Sequence, residues 1–264
     1  MFNSSHPVTA LRAALLAALA VVAMGAGAAQ PAVGQVSLVI GEAHLVRMDG
    51  SREAIRRGSS VQVGDRVETA GNGHVHVRFV DNGIVSVRPE SVLEVQSYRF
   101  DAQKPSLNEV RLRLDQGVSR SISGAATEAD KSRFRLNTPI AAIGVRGTDF
   151  IVQTDASGVR AAVADGAIVI GPLSGDCSAG GLGPCAGDAS RVLSAGMGHL
   201  MAEVQPGDAR TRLVPASGSV VAAVVGKADE GGHRRPQGDA LTYSMNDRAA
   251  ADLLTIAKVN IPDL

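Results

Sequence analysis

The least interchangeable chemistry in this sequence lies between Leu136 and Phe150. Arg146 and Asp149 stand on either side of Gly147-Thr148. A guanidinium that close to a carboxylate can bridge a turn with charge-assisted hydrogen bonds. Gly144 and Gly147 admit backbone angles that other residues avoid. Thr138-Pro139 lacks one N–H, so a strand must end there or run along a sheet edge. Arg146, Thr148 and Asp149 are therefore the candidate binding residues. The expected arrangement is a structural corner, with a partly buried Arg146 pinned to Asp149 or to loop carbonyls, because structural ion pairs outnumber catalytic ones. The rival arrangement has Arg146 exposed and in contact with a partner or an anionic ligand.

Other chemistry-bearing residues are sparse. His74 and His76 share one face of an alternating segment and could ligate a metal together. No convincing third ligand lies near them, so no metal site is assigned. Cys177 and Cys185 flank a Gly-rich stretch without C-x-x-C spacing or a neighbouring His. In an oxidising compartment they read as a disulfide closing a surface loop, rather than as a metal or redox pair. A loop this short should gain less than the roughly 3 kcal/mol that chain entropy gives a fifteen-residue loop. The sequence contains no G-x-S-x-G, no phosphate-binding loop and no H-E-x-x-H, and no cofactor is implied. A triad assembled from distant residues is the one enzymatic arrangement that such motifs would not reveal.

The elements that must position these residues are strands. Val36, Leu38 and Ile40 alternate, and Met48-Asp49-Gly50 supplies a turn. Val61 and Val63 lead to a turn at Gly64-Asp65. Val75, Val77 and Phe79 point one way, while His74, His76 and Arg78 point the other. Asp81-Asn82-Gly83 marks a hairpin that returns through Ile84 to Arg88 and stops at Pro89. Val110, Leu112 and Leu114 should face inward, with Arg111 and Arg113 outward. Ser123 to Ser132 reads as a flexible polar loop. Phe134 and Leu136 form a short strand leading to the Leu136–Phe150 block, and a further hairpin turns at Asp165-Gly166. Ser190 to Ala195 and His199 to Val204 read as a last strand pair. The expected fold is an all-β, mostly antiparallel sandwich or roll of jelly-roll type over residues 33–204.

Composition narrows the partners. Lys plus Arg and Asp plus Glu both number 26, so no basic field favours nucleic acid. Aromatics are 3% and Trp is absent, which leaves little with which to build stacking platforms for sugars or bases.

Three blocks resemble the FecR protein domain of bacterial envelope proteins. Val63 to Thr69 is similar to its Gly-Asp-x-Val-x-Thr block. Phe79 to Ser91 resembles its Asp-Gly-Ser hairpin followed by Pro-x-Ser, with Asn82 where Gly is usual. Thr138-Pro139 and Val145 to Phe150 resemble its Thr-Pro and Arg-Gly-Thr-(Asp/Glu)-Phe block, the most specific of the three. The resemblance spans roughly residues 34–170. It implies an exported sensing or signalling module that binds another envelope protein. Family members that regulate iron-transport genes carry a cytoplasmic anti-sigma segment and a membrane helix ahead of this domain. Here only a short segment precedes the apolar run Ala13–Ala23, so the expectation is the exported module alone.

Residues 1–29 have a signal-peptide layout: Arg12, an Ala-rich apolar run, then small residues at Ala26-Gly27-Ala28. Periplasmic export is expected, the alternative being an inner-membrane anchor through an uncleaved signal segment. The run falls short of the roughly 20 strongly apolar residues that a span needs. Residues 205–264 read as an extension, with a charged Gly-rich linker at 227–239 and a helix from Ala240 onward. The expected function is non-enzymatic protein binding in the envelope. The alternative is a binding or structural module for peptidoglycan or polysaccharide.

Overall fold

The computed structural model describes residues 30–216, apart from 129, 175 and 176. The signal segment expected at 1–29 and the linker and helix expected beyond Pro206 lie, apart from the stretch up to 216, outside the described residues. Among the described residues, no helix is long and apolar enough to cross a membrane.

The fold is all-β. In chain order the strands are β1 (Ala32–Ile40), β2 (Ala43–Val46), β3 (Arg52–Ala54), β4 (Ser60–Gln62), β5 (Arg66–Thr69), β6 (His74–Phe79), β7 (Ile84–Val87), β8 (Val92–Arg99) and β9 (Glu109–Ile122). They continue as β10 (Phe134–Asn137), β11 (Ala141–Val145), β12 (Asp149–Asp155), β13 (Gly158–Asp165), β14 (Ala167–Pro172), β15 (Arg191–Ser194), β16 (Leu200–Val204) and β17 (Arg212–Pro215). One sheet runs β4-β1-β6-β7-β9-β12-β13-β16-β17. The other runs β3-β2-β5-β8-β9-β10-β11-β14-β15. All pairs are antiparallel except β9 with β10.

The long strand β9 belongs to both sheets. Its first half pairs with β8 and β10, and its second half with β7 and β12. The changeover is at Gly117, whose φ of +88° a side chain would resist. A Cβ there would also lie 2.2 Å from Ser91 Oγ. Ser91 fastens the bend by accepting from the Val118 N–H at 2.8 Å and donating to the Pro89 and Val118 carbonyls. This is the physical role of the Pro-x-Ser block in this chain.

Alternation places the core between the two sheets. Val75, Val77 and Phe79 of β6 are buried, as are Val110, Leu112 and Leu114 of β9, while their polar neighbours stay half-buried on the outside. Together with Leu45, Leu93, Leu136, Ile143, Phe150 and Ile168 they form one apolar cluster from both sheets. Burial of this kind stabilises by about 25 cal/mol per Å² of apolar surface.

Two expectations change. The strands ending at Ala195 and Val204 do not pair with each other: β15 extends one sheet against β14, and β16 extends the other against β13. The short turn Ala195–Met197 carries the chain across. Past Val204, Arg212–Pro215 does form a strand, and β17 pairs with β16. Finally, the polar stretch after β9 is not a loose loop. It holds 3-10 turns at Ala125–Thr127 and Lys131–Arg133, and the first is tied to Asp81.

Candidate functional site

The Leu136–Phe150 block is where the chain leaves one sheet for the other, from β11 to β12. Thr138 makes the turn that precedes β11. Its N–H and hydroxyl both donate to the Ala141 carbonyl, at 2.8 and 3.1 Å, and its Oγ1 accepts from the Ala141 N–H at 2.9 Å. Pro139, with no N–H to satisfy, sits exposed at the tip. In β11, Ala141, Ile143 and Val145 face the main core, while Ala142 and Gly144 face the segment that follows β14. A Cβ on Gly144 would stand 2.5 Å from Pro184 N. Gly144 therefore serves close packing and not an unusual backbone angle, whereas Gly147 does adopt positive φ, +74°.

At the corner itself, Thr148 is buried and fully engaged. Its hydroxyl donates to the Ala167 carbonyl at 2.8 Å and accepts from the Arg146 N–H at 3.1 Å. That N–H also donates to the Ala167 carbonyl at 2.8 Å. Ser123 bonds to both the N–H and the carbonyl of Thr148. The main chain at Arg146–Thr148 is thus held from Ala167 on β14 and from Ser123 just after β9.

The pairing expected between Arg146 and Asp149 does not form. Asp149 instead takes a two-pronged grip from Arg120 on β9, Nε to Oδ1 at 2.8 Å and Nη2 to Oδ2 at 2.6 Å. The reason is geometric: Asp149 begins β12, next to the second half of β9, so its outward side chain meets that of Arg120 across the sheet. Arg146 falls on the left-handed turn at Gly147, which directs its side chain outward, and it is exposed. The nearby Lys131 side chain reaches toward Gly147. The corner presents a cation on a rigid backbone. Of its three candidate residues, only Arg146 has a side chain not engaged in bonds with the described residues.

The other chemistry-bearing residues lie elsewhere. His74 and His76 stand side by side on the outer face of β6 with Nε2 atoms 3.0 Å apart. Burial, then the charge of its neighbour His76, then Arg88 push the His74 pKa down to about 4, and burial and the cations Arg88 and Arg120 also lower that of His76. Both are neutral at neutral pH. No group of three or more His, Cys, Asp or Glu side chains gathers around them or elsewhere among the described residues. Cys177 and Cys185 form a disulfide, with Cα atoms 5.5 Å apart. It lies with Ala142 and Leu173 in a small cluster separate from the main core.

Sequence reasoning missed the role of Asp81. It is buried; Oδ1 accepts from the Gly83 N–H at 2.9 Å and the Tyr98 hydroxyl at 2.5 Å, and Oδ2 accepts from the Ala126 N–H at 3.0 Å. Burial and the facing carboxylate raise the Tyr98 pKa well above its usual 10. The signal available was only Asp at a turn; the partners come from β8 and from the segment after β9.

Residues 65–169 match the family model described as FecR protein. Over these residues the chain is similar to the FecR family. The match spans β5 to β13, the crossing at Gly117 and the Arg146 corner, and leaves out β1–β4, the disulfide segment and β15–β17. Two solved structures of a candidate anti-sigma factor from Parabacteroides distasonis are similar at 13% identity and TM-score 0.42, over 69% of this chain and 71% and 72% of theirs. A cell surface anchoring domain is similar at 26% identity and TM-score 0.24, over 24% of this chain and 84% of its own. No curated protein matches the chain.

Proposed function

We propose that this protein is an extracytoplasmic sensing or signalling module that works by binding another protein of the cell envelope, with Arg146 as a principal contact. The observation that carries this is the division of labour in the signature block. Thr148 and Asp149 are consumed by bonds within the fold, while Arg146 projects from a backbone fixed on both sides. The fixed backbone sets where the guanidinium is presented, and its planar fork suits a carboxylate on the partner. The similarity to the FecR family supports the signalling role, and the disulfide is of the kind that persists outside the reducing cytosol. The function is read as binding and not catalysis, with residues 1–29 directing export.

The test uses Arg146→Ala and Arg146→Lys. Both variants should melt like the parent, and Arg146→Ala should fail to retain the envelope protein that the parent retains on affinity purification. Retention of the same protein by Arg146→Ala, or capture of isolated peptidoglycan instead, would overturn the reading.

A further inference from the structure

We propose that Cys177–Cys185 is a reducible disulfide, opened by a dithiol reductant, from which Cys185 leaves as a thiolate held by Arg135. Residues 177–185 lie over the outward side of β10 and β11. Beneath them, Arg135 and Asn137 are 3% and 0% exposed. Asn137 donates to the Ala179 carbonyl at 2.8 Å, and Gly144 lies against Pro184.

Arg135 is the anomaly. Among the described residues its guanidinium has no carboxylate partner, and its Nε is buried without any acceptor. Its side-chain contacts go to sulfur: Nη1 is 2.9 Å from Cys185 Sγ and 3.7 Å from Cys177 Sγ. The other charges facing this place from β9 are Arg111, which donates to the Gly180 carbonyl at 2.7 Å, and Glu109, which pairs with Arg111 at 3.6 Å. The local balance is therefore positive. A neutral disulfide gives a buried guanidinium almost no compensation, and an uncompensated buried charge is costly. A thiolate at Cys185 would supply the missing counter-charge. The reduced state thus gains an interaction that the oxidised state lacks, which is the condition for a readily reduced disulfide.

The unequal distances select the leaving sulfur. A thiolate of the reductant attacks Cys177 Sγ, the S–S bond breaks, and its electron pair departs on Cys185 Sγ beside Arg135. A mixed disulfide then joins the reductant to Cys177. The second thiol of the reductant, once deprotonated, attacks its own sulfur in that bond, forms the reductant's disulfide and releases Cys177, which takes up a proton. Two electrons pass from the dithiol to the protein. The cysteines lie outside the main apolar cluster, so opening frees the cover over β10 and β11 while the core stays closed.

The experiment uses the full chain. In Cys177→Ser, the Cys185 thiolate is titrated by its absorbance in the far ultraviolet, and in the parent the rate of reduction by dithiothreitol is followed. The expected Cys185 pKa lies at least about one unit below the ordinary value of about 8.5. Arg135→Gln should return it to that value or higher and slow reduction at least about threefold, as a poorer leaving group does. Arg135→Lys should fall between. A Cys185 pKa at or above about 8.5 in folded Cys177→Ser, or a reduction rate unchanged in folded Arg135→Gln, would overturn the proposal. If Arg135→Gln does not fold, the Cys177→Ser titration decides alone.

Discussion

The contact between Arg120 and Asp149 sets how the corner is held, and its strength can be worked from the structure. Two parallel bonds at 2.6 and 2.8 Å join side chains that are 22% and 19% exposed. A fully exposed pair contributes about 0–1 kcal/mol, and breaking a fully buried one costs about 3–5 kcal/mol. Bidentate geometry and four-fifths burial place this pair between those limits. Asp149→Ala should therefore cost about 2–3 kcal/mol, a drop in Tm of roughly 4–12 °C for a domain of this size. A double-mutant cycle in urea between Arg120→Ala and Asp149→Ala should show coupling of at least about 1 kcal/mol. The same cycle between Arg146→Ala and Asp149→Ala should show none beyond about 0.3–0.5 kcal/mol, the usual limit of additivity. Coupling in the Arg146 cycle and none in the Arg120 cycle would refute this assignment and restore the pairing suggested by proximity in sequence.

Two further outcomes follow from particular contacts. Gly144→Ala places a methyl group 2.5 Å from the Pro184 nitrogen, and should destabilise by about 1–3 kcal/mol, as overpacking does, with increased proteolysis between Leu173 and Ser190; a variant that melts and digests like the parent would show that the segment does not pack there. Because His74 has its folded pKa lowered to about 4 from 6.5, the unfolded chain binds more protons as pH falls below 6.5, so stability present above that pH is lost toward pH 4. Urea midpoints measured from neutral pH down to about 4 should fall less steeply for His74→Asn/His76→Asn than for the parent; equal slopes would place the acid sensitivity elsewhere.

Much of the strand pattern was readable because β6 and β9 each bury alternate residues, and a period of two survives any strand order. The Asp81-Asn82-Gly83 turn was readable for the same local reason, and Asn82 indeed adopts φ of +64°. Long-range partners were not readable. Arg120 lies far along the chain from Asp149, and only the double membership of β9 brings them side by side. The nearer cation, Arg146, was the natural candidate, yet the left-handed turn at Gly147 sends it to solvent. Gly144 was read as a position for unusual backbone angles because sequence does not show what lies opposite a missing side chain; here it is Pro184. The pairing of the two cysteines could be read from compartment and spacing, but the buried Arg135 beside them could not, because alternation in β10 says only that it points away from Phe134 and Leu136.

The exposed Arg146 as a protein contact is tested most directly by site-specific photocrosslinking in intact cells of the native host. A photoreactive residue at position 146 should give one discrete adduct with an envelope protein, and the same probe at the exposed Val80 should give none. No adduct at 146, equal adducts from both positions, or crosslinking to peptidoglycan in place of protein would contradict the account.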